Sequence, residues 1–284
     1  MEYWFTEEHS DNVRFSIRTN RQLASLTTDI QRIDVFDTPE FGKILVLDGN
    51  VTMTEKDEFI YHDMMVHVPM AVNPNIKRVL VIGAGDGGTI RELCRYPKIE
   101  SIDMVEIDEA VVEICREHFK TTSYAFNDTR VKIHFEDGLR FVRSNKKVYD
   151  LVLVDSTDPI GPSEGLFSRE FYGNCYNALK DDGILVNQHE SPYYDFNVKA
   201  IQKSIKRLKE KFPIVKMYQA HIPTFSSGYW LFGFASKKYD PVKDLDEEAF
   251  NQLGLQTKYY NTDLHKGSFA LPNYVKELLN NDTK

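Results

Sequence analysis

The chain has 284 residues, 42% of them hydrophobic and 12% aromatic, which is enough apolar material for a sizeable core and too much for a disordered segment. Its formal charge of −8, from 43 acidic against 35 basic residues, comes without a long lysine or arginine run, which argues against a nucleic-acid partner. Three cysteines, Cys94, Cys115 and Cys175, are odd in number and share no CxxC spacing, so neither a disulfide framework nor a zinc site is indicated, and reduced core thiols are expected.

The N-terminus has no basic stretch followed by an apolar one, and no apolar run approaches the roughly 18 residues of a membrane span, so a cytoplasmic protein with no membrane association is expected. Residues 13–18, 29–37 and 43–47 mix β-branched and aromatic residues with polar ones and are punctuated by Thr38-Pro39-Glu40-Phe41-Gly42 and Asp48-Gly49-Asn50. They predict a small N-terminal antiparallel β domain over residues 1–55, followed by a helix over 55–72 that Asn73-Pro74 ends. Beyond Lys77 the texture changes to buried-type strands at 78–82, 101–105, 131–135, 150–154 and 183–187, alternating with helices that start near Thr89, Glu109 and Phe167. An amphipathic stretch at 199–212 and a hairpin of strands at 214–219 and 229–235 complete an α/β, seven-stranded, mostly parallel sheet with an antiparallel edge. Residues 56–284 thus read as one Rossmann-like domain of the methyltransferase type, with short helices after Asp240 and a frayed tail from Asn280.

The strongest local signal is the apolar strand running into Gly83-Ala84-Gly85-Asp86-Gly87-Gly88, where missing side chains let backbone approach a nucleotide. Alone it serves several cofactor classes. Glu106, about twenty residues on at the end of the next strand, can accept two ribose hydroxyls, whereas Asp108 is the better placed helix cap. Asp137 ends the third strand and fits either an adenine amino group or the cap of the following helix. The fourth strand ends in Asp155-Ser156-Thr157-Asp158-Pro159-Ile160-Gly161-Pro162, two carboxylates before a stiff loop. Gathered with Asp86 they would suit a cationic amine, and their mutual repulsion would raise a pKa until one could accept a proton; otherwise they only start a turn.

Four spaced blocks then make the chain resemble the polyamine aminopropyltransferases, the spermidine synthases, from near Trp4 to about Pro272. These are Asp48-Gly49 with Glu58-Phe59-Ile60-Tyr61-His62, the glycine turn, the Asp155 to Pro162 loop, and Ile222-Pro223-Thr224-Phe225. The resemblance implies transfer of an aminopropyl group from decarboxylated S-adenosylmethionine, a co-substrate, to putrescine, giving spermidine and 5'-methylthioadenosine, with no cofactor and no metal. It implies that Gln31, on an N-terminal strand, touches the nucleoside, that Glu106 holds the ribose, and that Asp137, Gly138 and Pro162 contact the adenine. Asp155 would be the base, assisted by Tyr61; Asp86 would face the donor's aminopropyl nitrogen and reject the carboxylate of ordinary S-adenosylmethionine; His62 and Asp158 would line the putrescine channel. The loop at 157–167 is expected to close over the substrates with Gly161 and Gly165 as hinges, and Phe225, Tyr229 and Trp230 either form an aromatic wall for the amine or pack the core. The acidic loop and the N-terminal β segment argue against a methyltransferase, and Asp155 with Tyr61 against a silent polyamine-binding protein. The β segment is too small to stand alone, so a homodimer or homotetramer is expected.

Overall fold

In a computed structural model of the chain, residues 2–157 and 161–280 are described. The N-terminal region forms six strands: β1 (Tyr3–Ser10), β2 (Val13–Thr19), β3 (Arg21–Thr27), β4 (Arg32–Thr38), β5 (Gly42–Leu47) and β6 (Asn50–Thr54). β1 and β2 make a hairpin of their own, and β3 to β6 an antiparallel four-stranded sheet, so two sheets stand where the sequence predicts one. Sequence reading misses β1 and β3 because most of their side chains face solvent and carry no apolar alternation. The missed β6 had a legible signal in Asp48-Gly49, whose φ values of 49° and 85° make a two-residue hairpin turn. β4 starts three residues later than predicted because the Thr28 hydroxyl accepts from the N–H groups of Ile30 and Gln31, both at 3.1 Å, holding them in a turn. Gln31 therefore precedes the strand instead of lying on it.

The helix α1 (Glu58–Val72) follows, and then the expected alternation: β7 (Arg78–Gly83), α2 (Gly88–Cys94), β8 (Ser101–Glu106), α3 (Glu109–His118), α4 (Lys120–Ser123), β9 (Val131–Phe135), α5 (Gly138–Arg143) and β10 (Tyr149–Asp155). Residues Gly161–Phe167 form 3-10 turns, then come α6 (Arg169–Ala178), β11 (Leu179–His189), α7 (Asp195–Lys209), β12 (Ile214–His221), β13 (Tyr229–Ser236), α8 (Glu247–Gln252), α9 (Thr262–Ser268) and α10 (Asn273–Asn280). The seven strands run in the order β12-β13-β11-β10-β7-β8-β9, parallel except for β13, which is antiparallel to both neighbours.

Strand alternation explains why both faces are covered. Along β7, Val79 and Val81 join α1 and α2 in one core, while Leu80 and Ile82 join α6 in the other; Leu151 and Leu153 against Val152 and Val154 repeat the division on β10. The N-terminal sheet is also covered twice within the chain: Leu45 and Leu47 of β5 pack with Val111 and Cys115 of α3, and Ile44 and Val46 with Ile17 of the β1-β2 hairpin. None of the helices among the described residues is long and apolar enough to cross a membrane. Cys115 and Cys175 are buried and Cys94 half-buried, all as free thiols.

Strand order reverses between β7 and β10, the position where open α/β sheets leave a crevice at the carboxyl ends of their strands. There the backbone of Gly83 has φ 88°, and a Cβ on it would lie 2.0 Å from the Asp155 carbonyl oxygen. Only glycine fits both constraints. Gly83→Ala is expected to lower unfolding free energy by about 3 kcal/mol and to displace Asp155, a loss measurable as a lower urea midpoint with unchanged m-value.

Candidate active site

The carboxyl ends of the parallel strands open into a cleft of about 620 Å³, and strand order decides which residue stands where along it. Trp230 comes from β13, Gln188 from β11, Asp155 from β10, the glycine turn with Asp86 from β7, Glu106 from β8, and Asp137 with Gly138 from the end of β9, all lining this cleft. Neighbouring strands lie about 4.8 Å apart, so the cleft is an elongated trough across the sheet, with the acidic centre between two differently built ends. Tyr61 and His62 enter from α1, and Gln31 from the turn before β4.

At the centre, Asp155 accepts a hydrogen bond from the Thr89 hydroxyl at 2.6 Å and one from the Tyr61 phenol. Burial and the adjacent Asp86 charge push its carboxyl up to about 6, against the opposing pull of His62, Thr89 and Tyr61. Burial and the Asp155 charge hold Tyr61 well above the ordinary phenol value, so it remains a donor. Asp86 goes the other way: burial works against its ionisation, but the His62 charge and the Gly88 N–H, 2.7 Å from Oδ1, keep the carboxyl below its ordinary value. Two neighbouring carboxylates are thus driven apart, one poised to take a proton and one kept charged.

At the β8 end, Glu106 accepts the Asp108 N–H at 3.0 Å, and burial pushes it up to about 7 despite backbone donors from Asp108 and Ile107. Asp108 caps α3, accepting from the Ala110 N–H at 3.2 Å, and its other oxygen receives the Gln31 amide at 3.1 Å and the Thr28 hydroxyl at 2.9 Å. Asp137 caps α5 through the Leu139 N–H at 2.8 Å while also lining the cleft, so its two sequence readings coexist. A Cβ on Gly138 would lie 2.7 Å from the Ile82 side chain, so a larger residue there would have to displace Ile82.

At the other end, Trp230 is both core and cleft wall, its ring edge-on to Phe225 at 4.8 Å, and its indole N–H donates to Gln188 at 3.2 Å. Gln188 in turn donates to the Ser156 carbonyl at 3.2 Å, tying β11 to the acidic loop. Tyr229 faces elsewhere: its hydroxyl donates to Gln219 and it takes no part in the cleft wall. Sequence reading misses Gln188 because a polar residue at a strand end has no spacing partner to mark it.

A profile described as "Spermine/spermidine synthase domain" matches residues 58–247, and another described as "Spermidine synthase tetramerisation domain" matches residues 3–55. A polyamine aminopropyltransferase of Alkaliphilus oremlandii is 66% identical, with 98% of both chains covered. The chain belongs to the spermine/spermidine synthase family. Among solved members, a spermidine synthase in complex with the transition-state analogue AdoDATO superposes with a TM-score of 0.95 at 43% identity, covering 98% of this chain and 94% of that one. The spermidine synthase of Thermotoga maritima gives 0.93 at 42%, again over 98% and 94%. Aminopropyl transfer in polyamine biosynthesis is the activity of this spermidine synthase fold, and its N-terminal domain is of the kind that builds oligomers.

Of the residues expected in such a synthase, Gln31, Tyr61, His62, Asp86, Glu106, Asp137, Gly138 and Asp155 line one cleft. Asp158 lies outside the described residues, as do Pro159, Ile160 and the side chain of Pro162. His62 lines the cleft and is also held within the protein. Its Nδ1 faces Glu58 at 2.6 Å and its Nε2 faces Asp86 at 3.3 Å, so both ring nitrogens are engaged within the protein. A second acidic group, Asp63 and Glu92 around His67, is wholly buried; its oxygens receive three backbone N–H groups of residues 258–260 and the Arg91 and Arg95 guanidinium groups. That network fastens the C-terminal segment to α1.

Proposed function

We propose that this synthase takes the aminopropyl group of decarboxylated S-adenosylmethionine and delivers it to putrescine, giving spermidine and 5'-methylthioadenosine, with Asp155 as the base. The observation that carries this reading is the pair of carboxylates lining one cleft, Asp155 held by the Thr89 hydroxyl and Asp86 by His62 and the Gly88 N–H, an arrangement that favours the charged form of Asp86 and raises the carboxyl of Asp155. An ammonium has no lone pair, so one proton must leave it before attack. Asp155, ionised above about pH 6, takes that proton, and the Tyr61 phenol and Thr89 hydroxyl orient the carboxylate. The freed lone pair forms the new N–C bond as the C–S bond breaks, and its electron pair returns to sulfur, leaving a neutral thioether. The sulfonium donor activates its own carbon, so the protein's contribution is alignment and exclusion of water, and no cofactor or metal enters the scheme.

In this reading Asp86 meets the donor's terminal ammonium, Glu106 the ribose hydroxyls, Gln31 the nucleoside, and Asp137, Gly138 and Pro162 the adenine. Asp158 and the Tyr61–Phe225–Trp230 wall take the diamine, its cation and its methylenes respectively. His62 borders the putrescine channel as a residue of the cleft wall, while its two ring nitrogens face Glu58 and Asp86. The division at residue 55 follows the end of β6 at Thr54 and the start of α1 at Glu58. The assembly is a homodimer or homotetramer in the cytoplasm; Tyr3, Trp4 and Leu26 are large apolar side chains exposed on the N-terminal strands, and a monomer in sedimentation at micromolar concentration would contradict it.

The decisive assay supplies decarboxylated S-adenosylmethionine with putrescine, cadaverine, agmatine or spermidine in turn and follows methylthioadenosine and polyamine by mass. Product with putrescine is expected, and no product with any of the amines overturns the reading. Glu106 adds a pH signature: the ribose hydroxyls donate to its ionised form, so affinity for methylthioadenosine weakens as pH falls below about 7, by at most about tenfold per unit. Glu106→Gln should flatten that dependence in calorimetric titrations, and an unchanged slope would remove Glu106 from the ribose site.

A further inference from the structure

Behind Asp86 lies a chain of charged groups that the transfer chemistry does not touch. The Arg91 guanidinium of α2 grips Glu58 of α1 with two parallel bonds, Nη1 to Oε1 at 2.7 Å and Nη2 to Oε2 at 3.0 Å. Glu58 Oε2 faces His62 Nδ1 at 2.6 Å, and His62 Nε2 faces Asp86 Oδ1 at 3.3 Å. A neutral imidazole has one N–H, so a ring that faces a carboxylate at each nitrogen can donate to both only as imidazolium. The ring is also held mechanically: a Cβ on Gly88 would lie 2.1 Å from His62 Cε1, so the absence of a side chain at position 88 makes room for the imidazole.

We propose that Glu58 and Arg91 are positioning residues of the donor site, acting through His62 to hold the Asp86 carboxylate charged and fixed at the cleft wall. The inference rests on the assignment of Asp86 to the donor's ammonium. Without such a chain Asp86 would sit buried beside Asp155, and burial and repulsion would both favour its protonation, after which it could neither attract the ammonium nor repel a carboxylate. The groups that face Asp86 are few enough to name. His62 and Tyr61 approach from α1, Asp155 from β10 and Cys115 from α3, with Glu58 behind His62. His62 is the only cation among these groups. Hydrogen bonds and charges from His62 and Arg91 outweigh burial and hold Glu58 down to about 2, and the two carboxylates keep His62 well above an ordinary histidine despite its burial, so the chain is a coherent alternation of sign.

The test uses the full-length enzyme with donor and putrescine varied separately across pH. Glu58→Gln keeps the shape and removes the charge; it is expected to raise KM for the decarboxylated donor about fivefold or more and to move the acid limb of kcat/KM for the donor up by about half a unit or more, leaving KM for putrescine within about twofold. Arg91→Gln should move the same quantities by less, and Arg91→Lys, which retains the charge without the fork, should fall between it and the parent. A purely structural role would lower the melting temperature without separating donor from acceptor. Folded Glu58→Gln with donor KM and acid limb unmoved overturns the inference.

Asp86→Asn serves as the reference. If it leaves donor KM unchanged, the assignment of Asp86 fails first; if it raises donor KM while Glu58→Gln does not, only the positioning role fails. Should neither the Glu58 nor the Arg91 variants fold, nitrogen NMR of histidine-labelled parent enzyme decides, with the His62 signals assigned by their loss in His62→Gln. An imidazolium pattern at His62 persisting well above the pH at which an ordinary histidine loses its charge is expected, and a ring that is neutral at about pH 7 overturns the proposal.

Discussion

Asp155→Asn is expected to lower kcat by about 10²- to 10⁴-fold, the range over which a positioned general base contributes, with KM for the donor changed little. The amide keeps the shape of the carboxyl, and its carbonyl oxygen can still accept from Thr89, now 2.6 Å from the carboxylate, but it cannot take a proton from an ammonium. The parent's pH profile carries the same information. With the carboxyl raised to about 6 in the free enzyme, the base is protonated and idle below that value and ionised above it, so kcat/KM for putrescine should rise through about pH 6 and level off, and the residual rate of the variant should lack this limb. The linkage to stability has the opposite sense. A carboxyl whose folded pKa stands above its ordinary value of 3.8 is favoured in its protonated form by folding, so its contribution to stability falls as pH rises from 3.8 to about 6 and stays low beyond. Asp155→Asn removes that penalty, and at neutral pH the variant should melt no lower than the parent. A variant turning over as fast as the parent would exclude Asp155 as the base; one that melts well below it would make the lost activity a folding effect.

The second large effect is expected at Asp86. Asp86→Asn should raise KM for decarboxylated S-adenosylmethionine by about tenfold to a hundredfold, the cost of leaving a partly desolvated ammonium without its counter-charge. It should also narrow the preference over ordinary S-adenosylmethionine, because the carboxylate of that compound no longer meets a fixed negative charge. Competitive binding of the two compounds measures the ratio directly. Asp86 and Asp155 are mutually repelling, so removing the Asp86 charge should also lower the Asp155 pKa and shift the acid limb of kcat/KM for putrescine downward. An unchanged preference between the two donors would mean that selection is made elsewhere in the cleft.

The place of these two carboxylates in the cleft could be read along the chain. The glycine turn, Glu106 and Asp155 each close an apolar β-strand and Asp137 follows β9 by two residues, and a strand that runs into a carboxylate or a glycine cluster announces itself locally. Parallel strands place such ends on one edge of the sheet, so the residues converge without any knowledge of distance. The two-faced alternation of β7 and β10 is equally local, and so is the hairpin that supplies β12 and β13.

Other features depend on contacts between segments far apart in the chain. β1 and β3 have few buried side chains and take their strand form from their partners, so no periodicity betrays them. Gln31 meets Asp108 across 77 residues, and Asp57, whose position suggests a helix cap, instead accepts the Thr224 N–H and hydroxyl from 167 residues away. His62 has the same character. Its place in Glu58-Phe59-Ile60-Tyr61-His62 suggests a channel residue, and only the approach of α1 to the glycine turn reveals it as the link between Glu58 and Asp86.

Periodicity and strand-end chemistry are properties of a few consecutive residues, so the α/β class, the strand-end carboxylates and the family resemblance were all legible in the chain alone. The opposed ionisation of Asp86 and Asp155, the charged chain behind Asp86 and the six-stranded form of the N-terminal region required the tertiary structure. The reason is physical. Protonation is set by burial and by charges a few ångströms away, and those neighbours come from α1, β7 and β10, which are brought together only when the sheet forms.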